Sequence, residues 1–137
     1  MGSKKAFISV LAAVFAAALV CGCTGGDSSA EVYTLTDEEK QLAIYPIEQY
    51  TGVQDAAVNQ DGKDLTLNLI VDYGTSKEYA EELGDNFVRL VKSFGPEESP
   101  GKEIGPGIYD YTVYVHNPSG ELVAVGAKVS GARSLTW

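Results

Sequence analysis

The sequence predicts an α+β domain of two layers, a four-stranded antiparallel sheet with two helices on one face, in the order αββαββ. Three observations carry this. Two segments open on capping-box residues and carry apolar side chains at helical spacing; four short segments alternate apolar and polar residues; and Asp-Gly and Pro-Ser-Gly turns divide those four into two hairpins. With 137 residues, and an N-terminal stretch unlike domain sequence, the chain has room for one core in roughly a hundred residues.

The first helix is expected to begin after Thr36, where Thr36 and Glu39 form the T-x-x-E of a capping box and acidic residues complement the helix dipole. Leu42, Ala43, Ile44, Tyr45, Ile47 and Tyr50 would cover one broad side. Pro46, which has no N–H, would kink or tighten the middle, and Gly52 would cap the end. From Val53 the period changes to two. The runs VQDAAVNQ and DLTLNLIVDY flank Asp-Gly, a strong hairpin signal. In the second run Leu65, Leu67, Leu69, Val71 and Tyr73 share one face, with Thr66, Asn68, Ile70 and Asp72 on the other.

The second helix has the clearest stripe: Ala80, Leu83, Phe87, Leu90, Val91 and Phe94 recur at three and four. Thr75 and Glu78 are expected to form its capping box, and Gly95 and Pro96 to end it. Gly84, which costs about 1 kcal/mol against alanine in a helix, suggests a close crossing over the sheet. A Gly/Pro-rich loop follows, and then IYDYTVYVH and ELVAVGAKV form the second hairpin. Tyr109, Tyr111, Val113 and Val115 are expected to face the core with Val123, Val125, Ala127 and Val129, leaving Tyr114 and His116 opposite. The two halves show no residue-level repeat.

The N-terminal 22 residues read as an address. MGSKK is basic, and Ala6–Val20 is an uncharged run of fifteen residues, short of the ~20 a spanning helix wants and ordered as in a secretory signal. Val20, Cys21, Gly22 and Cys23 close that run, and VCGC resembles the lipobox of bacterial and archaeal lipoproteins, although leucine is commoner at the first position and a small or hydroxyl residue at the second. The resemblance covers the signal alone. It implies cleavage between Gly22 and Cys23 and a lipid on the Cys23 thiol, so that the protein is exported and held on the outer face of the cytoplasmic membrane or another envelope membrane. Cys23 suits better than Cys21 because glycine precedes it, whereas the branched Val20 precedes Cys21. Residues 23–34, beginning CTGGDSSAE, have the composition of a flexible tether reaching ~30 Å at most, and 35–137 form the domain.

Rival readings of the cysteines are poorer. Zinc needs four ligands and the sole histidine is remote; redox pairs are spaced C-x-x-C. An uncleaved signal anchor with two idle thiols would face the same compartment.

The chain carries 10 basic and 19 acidic residues, and loss of the signal leaves 8 basic, for a net charge of −11. Such a surface repels phosphate, which excludes a nucleic-acid partner. No nucleophile elbow, metalloprotease motif or second histidine is present, so the sequence predicts no enzyme, no catalytic residues, no metal and no cofactor. Asn59–Asp64 only superficially resembles a calcium loop: its twelfth position is Ile70 where a bidentate glutamate is needed. His116 reads as an exposed turn residue, and Trp137 as a pin for the last segment. Among eight tyrosines, Tyr73, Tyr109 and Tyr111 are assigned to sheet packing. Asp72, Tyr114 and His116 are the candidate recognition residues of the polar sheet face. The expected function is a lipid-anchored, non-enzymatic binding module of the envelope, its partners the membrane through Cys23 and an unidentified envelope protein. The alternatives are a ligand-binding or weakly enzymatic polar face, and a structural subunit of an envelope complex.

Overall fold

Thr36 caps the first helix with both halves of its box in place: its hydroxyl accepts the Glu39 amide N–H, and the Glu39 carboxylate accepts the Thr36 amide N–H. In the computed structural model, which describes residues 32–137, the elements are α1 (Asp37–Glu48), β1 (Val53–Asp61), β2 (Asp64–Val71), α2 (Lys77–Phe94), β3 (Asp110–His116) and β4 (Leu122–Lys128). The signal, Gly22, Cys23 and the tether up to Glu31 lie outside the described residues.

The sheet runs β1-β2-β3-β4, and it is mixed. The two hairpins are antiparallel, but β2 and β3 pair in parallel, Leu65 opposite Tyr111 and Leu69 opposite Val115. This corrects the expected antiparallel sheet. The reason is the length of α2: 18 residues rise about 27 Å, which undoes the roughly 26 Å travelled along the eight residues of β2. The chain therefore enters β3 from the end at which it entered β2.

Alternation sets what is buried. Leu65, Leu67, Leu69 and Val71 join Tyr111, Val113, Val115, Ala56 and Val58 in one hydrophobic cluster with Ala43, Ile44 and Ile47 of α1 and Ala80, Leu83, Phe87, Val88 and Val91 of α2. α1 touches α2 and β1; α2 touches β2, β3 and β4. Residues Val32–Trp137 form one compact unit. The Tyr33 carbonyl accepts from the Tyr109 hydroxyl at 2.6 Å and from Gln60 Nε2 at 2.9 Å, and Leu35 is buried.

Several local expectations shift. α1 ends at Glu48, because after Pro46 the chain tightens into turns that join the Gln49 amide to the Pro46 carbonyl and the Tyr50 amide to the Ile47 carbonyl. Gly52, at φ +88°, serves the turn into β1 rather than the helix cap. The N-cap of α2 is Ser76, accepting the Tyr79 amide, since the Thr75 hydroxyl is taken by the Asp72 carbonyl. Tyr73 lies beyond the end of β2 and is exposed, as are Leu42, Tyr45, Tyr50 and Phe94 of the predicted helical stripes.

The frame of β4 is the largest correction to the core. Ala124, Gly126 and Lys128 face inward, while Val125, Ala127 and Val129 lie exposed and Val123 half-buried. The inward volume is already filled from elsewhere. Trp137 lies against Gly126, where a Cβ would fall 2.7 Å from its ring, and against Gly84 of α2, where one would fall 2.8 Å from Cζ2. Thr136 pairs with Ala127 through both backbone hydrogen bonds, which seats the indole over β4. Valine on the inward side would collide with that ring. Gly84 thus marks the close crossing that its sequence position suggests, and Trp137 pins the C-terminal segment.

Candidate functional site

The outward sheet face is built in rows by strand register. Ala57, Asn68, Tyr114 and Val125 are successive neighbours across the four strands, and Asn59, Thr66, Thr112 and Ala127 form the next row. Ile70 and His116 pair at one end. None of these ten residues is lysine, arginine, aspartate or glutamate. Acidic residues stand around them: Asp55 pairs with Ile70 at that end, and Asp61, Asp64 and Asp110 are register neighbours at the other. Lys63, 3.7 Å from Asp110, supplies a cation on that side.

The structure brings Tyr114 and His116 together, their rings 6.1 Å apart and nearly parallel at 18°. His116 closes β3 and is half-buried, and its Nδ1 is buried with no hydrogen-bond partner. Asp72 is committed differently. It is exposed past the end of β2, its carboxylate accepting Gln54 Nε2 at 2.7 Å, and its carbonyl accepting both the amide and the hydroxyl of Thr75. Among the described residues no group of three or more His, Cys, Asp or Glu could hold a metal, and no helix is long and apolar enough to cross a membrane.

A second polar constellation lies inside the domain, and sequence reading missed it. Glu97, Lys92 and Lys128 are buried. The Glu97 carboxylate accepts the Ile108 amide at 2.6 Å, the Tyr109 amide at 3.3 Å and, through its other oxygen, the Tyr111 hydroxyl. Lys92 Nζ donates to the carbonyls of Glu98 and Pro106 at 3.1 and 2.9 Å. Lys128 reaches over the Tyr111 ring at 5.8 Å, and desolvation lowers its pKa. Arg89 adds bonds to the carbonyls of Gly101 and Lys102, both 2.9 Å. Together these side chains fold residues 96–109 down as a strap, with Ile104 buried beneath. The available signal was Tyr111: an inward-facing tyrosine needs a partner for its hydroxyl. Gly107 was a second, since any side chain there would occupy the place of the Glu97 carboxylate.

The same burial has a pH signature. Desolvation, with the Glu97 charge adding to it, pushes Tyr109 up to about 12 from 10.0, and burial and its bond to Glu97 raise Tyr111 well beyond the ordinary tyrosine range. A folded-state pKa above the unfolded one contributes stability that is complete below pH 10 and is lost as pH climbs toward 12. Two pKa units correspond to about 2–3 kcal/mol from Tyr109 alone. Urea unfolding at a series of pH values is expected to show this fall, and Tyr109→Phe to make it shallower. Equal slopes for the two proteins would remove Tyr109 as its source.

The fold and its surfaces define an α+β domain with a mixed four-stranded sheet whose outward face is uncharged at its centre and acidic at its ends. No protein-family profile, no curated protein and no solved structure matches the chain.

Proposed function

We propose that this is an exported, lipid-anchored, non-enzymatic interaction module, a two-layer αββαββ domain whose helices cover one sheet face and leave the other for a protein partner. Cys23 carries the lipid after cleavage behind Gly22, and the tether holds the domain near the membrane. The observation that carries the recognition reading is the uncharged centre of the outward face, the rows Ala57-Asn68-Tyr114-Val125 and Asn59-Thr66-Thr112-Ala127, between Asp55 at one end and the row Asp61-Asp64-Asp110 at the other. The acidic charge of the face is confined to its two ends, and an uncharged centre carrying a tyrosine matches the centres of interfaces, which are depleted of charge and enriched in tyrosine. Exposure of Val125, which stands in the central row beside Tyr114, supports the same reading. The acidic surround favours a partner with an uncharged centre and a basic rim, and disfavours a second copy of this chain.

The ligand-binding or enzymatic reading drew on Asp72, Tyr114 and His116 acting together. With the Asp72 carboxylate held by Gln54, the geometry favours the interaction module.

The test has two arms. Labelling with a radioactive fatty acid or isoprenoid precursor is expected to mark the wild type and not Cys23→Ser; label kept by the mutant, or missing from the wild type, overturns the anchor. A photocrosslinking amino acid at position 114 is expected to give a discrete protein adduct in intact cells, weakened by salt, with none from the exposed position 98 on the strap. Equal adducts from both positions, or none from 114, would overturn the face.

A further inference from the structure

The helices carry a concave apolar surface that neither the anchor nor the sheet face uses. Leu42 and Tyr45 of α1, with Pro46, meet Phe94 at the end of α2 around a groove of about 490 Å³, with Glu38 and Gln41 also lining it. This lies within the range of ~300–1,000 Å³ typical of small-molecule sites. Leu42, Tyr45 and Phe94 are 51%, 68% and 39% exposed, so three large apolar side chains stand side by side in water. Clustered exposed apolar side chains are a feature of surfaces that bind ligands or partners.

The polar chemistry of the groove selects the ligand. Glu38 brings a carboxylate. Pro46 has no N–H to donate to the Leu42 carbonyl, and its ring adds apolar surface to the groove. Tyr45 and Phe94 bring two aromatic rings, and the face of such a ring attracts cations. Among the described residues no lysine or arginine lines the groove. The Gln41 amide and the Tyr45 hydroxyl can donate or accept hydrogen bonds, while the Glu38 carboxylate and the two rings attract positive charge. A chain of net charge −9 adds a long-range field of the same sign.

We propose that this groove binds a hydrophobic organic cation, an amine with an aromatic or aliphatic body, its apolar part against Leu42, Pro46 and Phe94 and its ammonium between Glu38 and the Tyr45 ring. The site lies on α1 and α2, and the proposal is independent of lipidation at Cys23 and of the sheet face.

Three probes of one shape and different charge test it: phenethylammonium, 2-phenylethanol and phenylacetate. Each is titrated against the isotope-labelled full chain in phosphatidylcholine nanodiscs, with empty nanodiscs correcting for partition into lipid, and the NMR signals of Leu42, Tyr45 and Phe94 are followed. Phenethylammonium is expected to shift these signals and to bind roughly three- to thirtyfold tighter than 2-phenylethanol, with phenylacetate weaker than both. Glu38→Gln, a change in the exposed first turn of α1, is expected to weaken the cation about two- to fivefold and leave 2-phenylethanol unchanged. Tyr45→Ala is expected to weaken the cation more than the alcohol. Equal binding of the three probes would overturn the proposal, as would tighter binding of the anion, shifts confined to other parts of the domain, or no shift at the solubility limit of the amine. An affinity for the cation indifferent to Glu38→Gln and Tyr45→Ala alike would overturn it too.

Discussion

Glu97→Ala is expected to destabilise the domain by about 3–5 kcal/mol, because it strands three donors at once. The Ile108 and Tyr109 amides and the Tyr111 hydroxyl all point at the Glu97 carboxylate, and two of these three bonds are buried. An apolar replacement restores nothing to them, and it withdraws the negative charge that lies among Lys92, Lys128 and Tyr111. Glu97→Gln is a milder change, costing about 1–2 kcal/mol, since the amide keeps one acceptor for the backbone N–H groups. Tyr111→Phe in the Glu97→Ala background removes one stranded hydroxyl and is expected to recover about 1 kcal/mol, although the same substitution destabilises the wild type. Denaturant unfolding measures the wild type and the four variants, and amide hydrogen exchange at Ile108 and Tyr109 localises the loss to the strap. A Glu97→Ala variant within 1 kcal/mol of the wild type would mean that the carboxylate does not latch residues 96–109.

The second large effect is a change of sign. Gly84→Ala raises the intrinsic helix propensity of α2 by about 1 kcal/mol, yet it is expected to destabilise the wild type by about 1–3 kcal/mol, because the new methyl group meets the Trp137 ring. Trp137→Ala removes the ring at a cost of about 3 kcal/mol. In that background the nearest atom to the new Cβ is Val113 Cγ1, at 3.2 Å, and Gly84→Ala is expected to become neutral or stabilising. Thermal or denaturant unfolding of the four proteins closes the cycle. A Gly84→Ala effect of the same sign and size with and without Trp137 would show that the indole is not what keeps that position free of a side chain.

Both effects start from residues whose meaning lies far away in the chain. Gly84 and Gly126 read locally as a weak point in a helix and a weak point in a strand. They are opposite sides of one slot, filled by a side chain 53 and 11 positions further along. Lys92 sits one position from Val91 and four from Val88, where the helical period places it at the edge of the apolar stripe. It is buried because two carbonyls of the strap come to meet its ammonium. On the outward face, Tyr114 and His116 could be assigned to one side from their strand parity, because alternation is a local property. The commitment of Asp72 to Gln54 depends on hairpin register and on where β2 stops.

What the amino-acid sequence determined by itself is the kind and place of each element. The Thr36–Glu39 box, the alternation of Leu65 to Val71, the apolar stripe from Ala80 to Val91 and the Asp-Gly turn at Gly62 act over a few residues, and the fold keeps all of them. Tertiary structure decided the rest. It made the β2–β3 pairing parallel, because the length of α2 returns the chain to its starting end. It also chose the inward frame of β4, since hydrophobicity favoured Val123, Val125 and Val129 while space beneath Trp137 admitted only Ala124 and Gly126. Period is a property of neighbours in sequence, and volume is a property of neighbours in space.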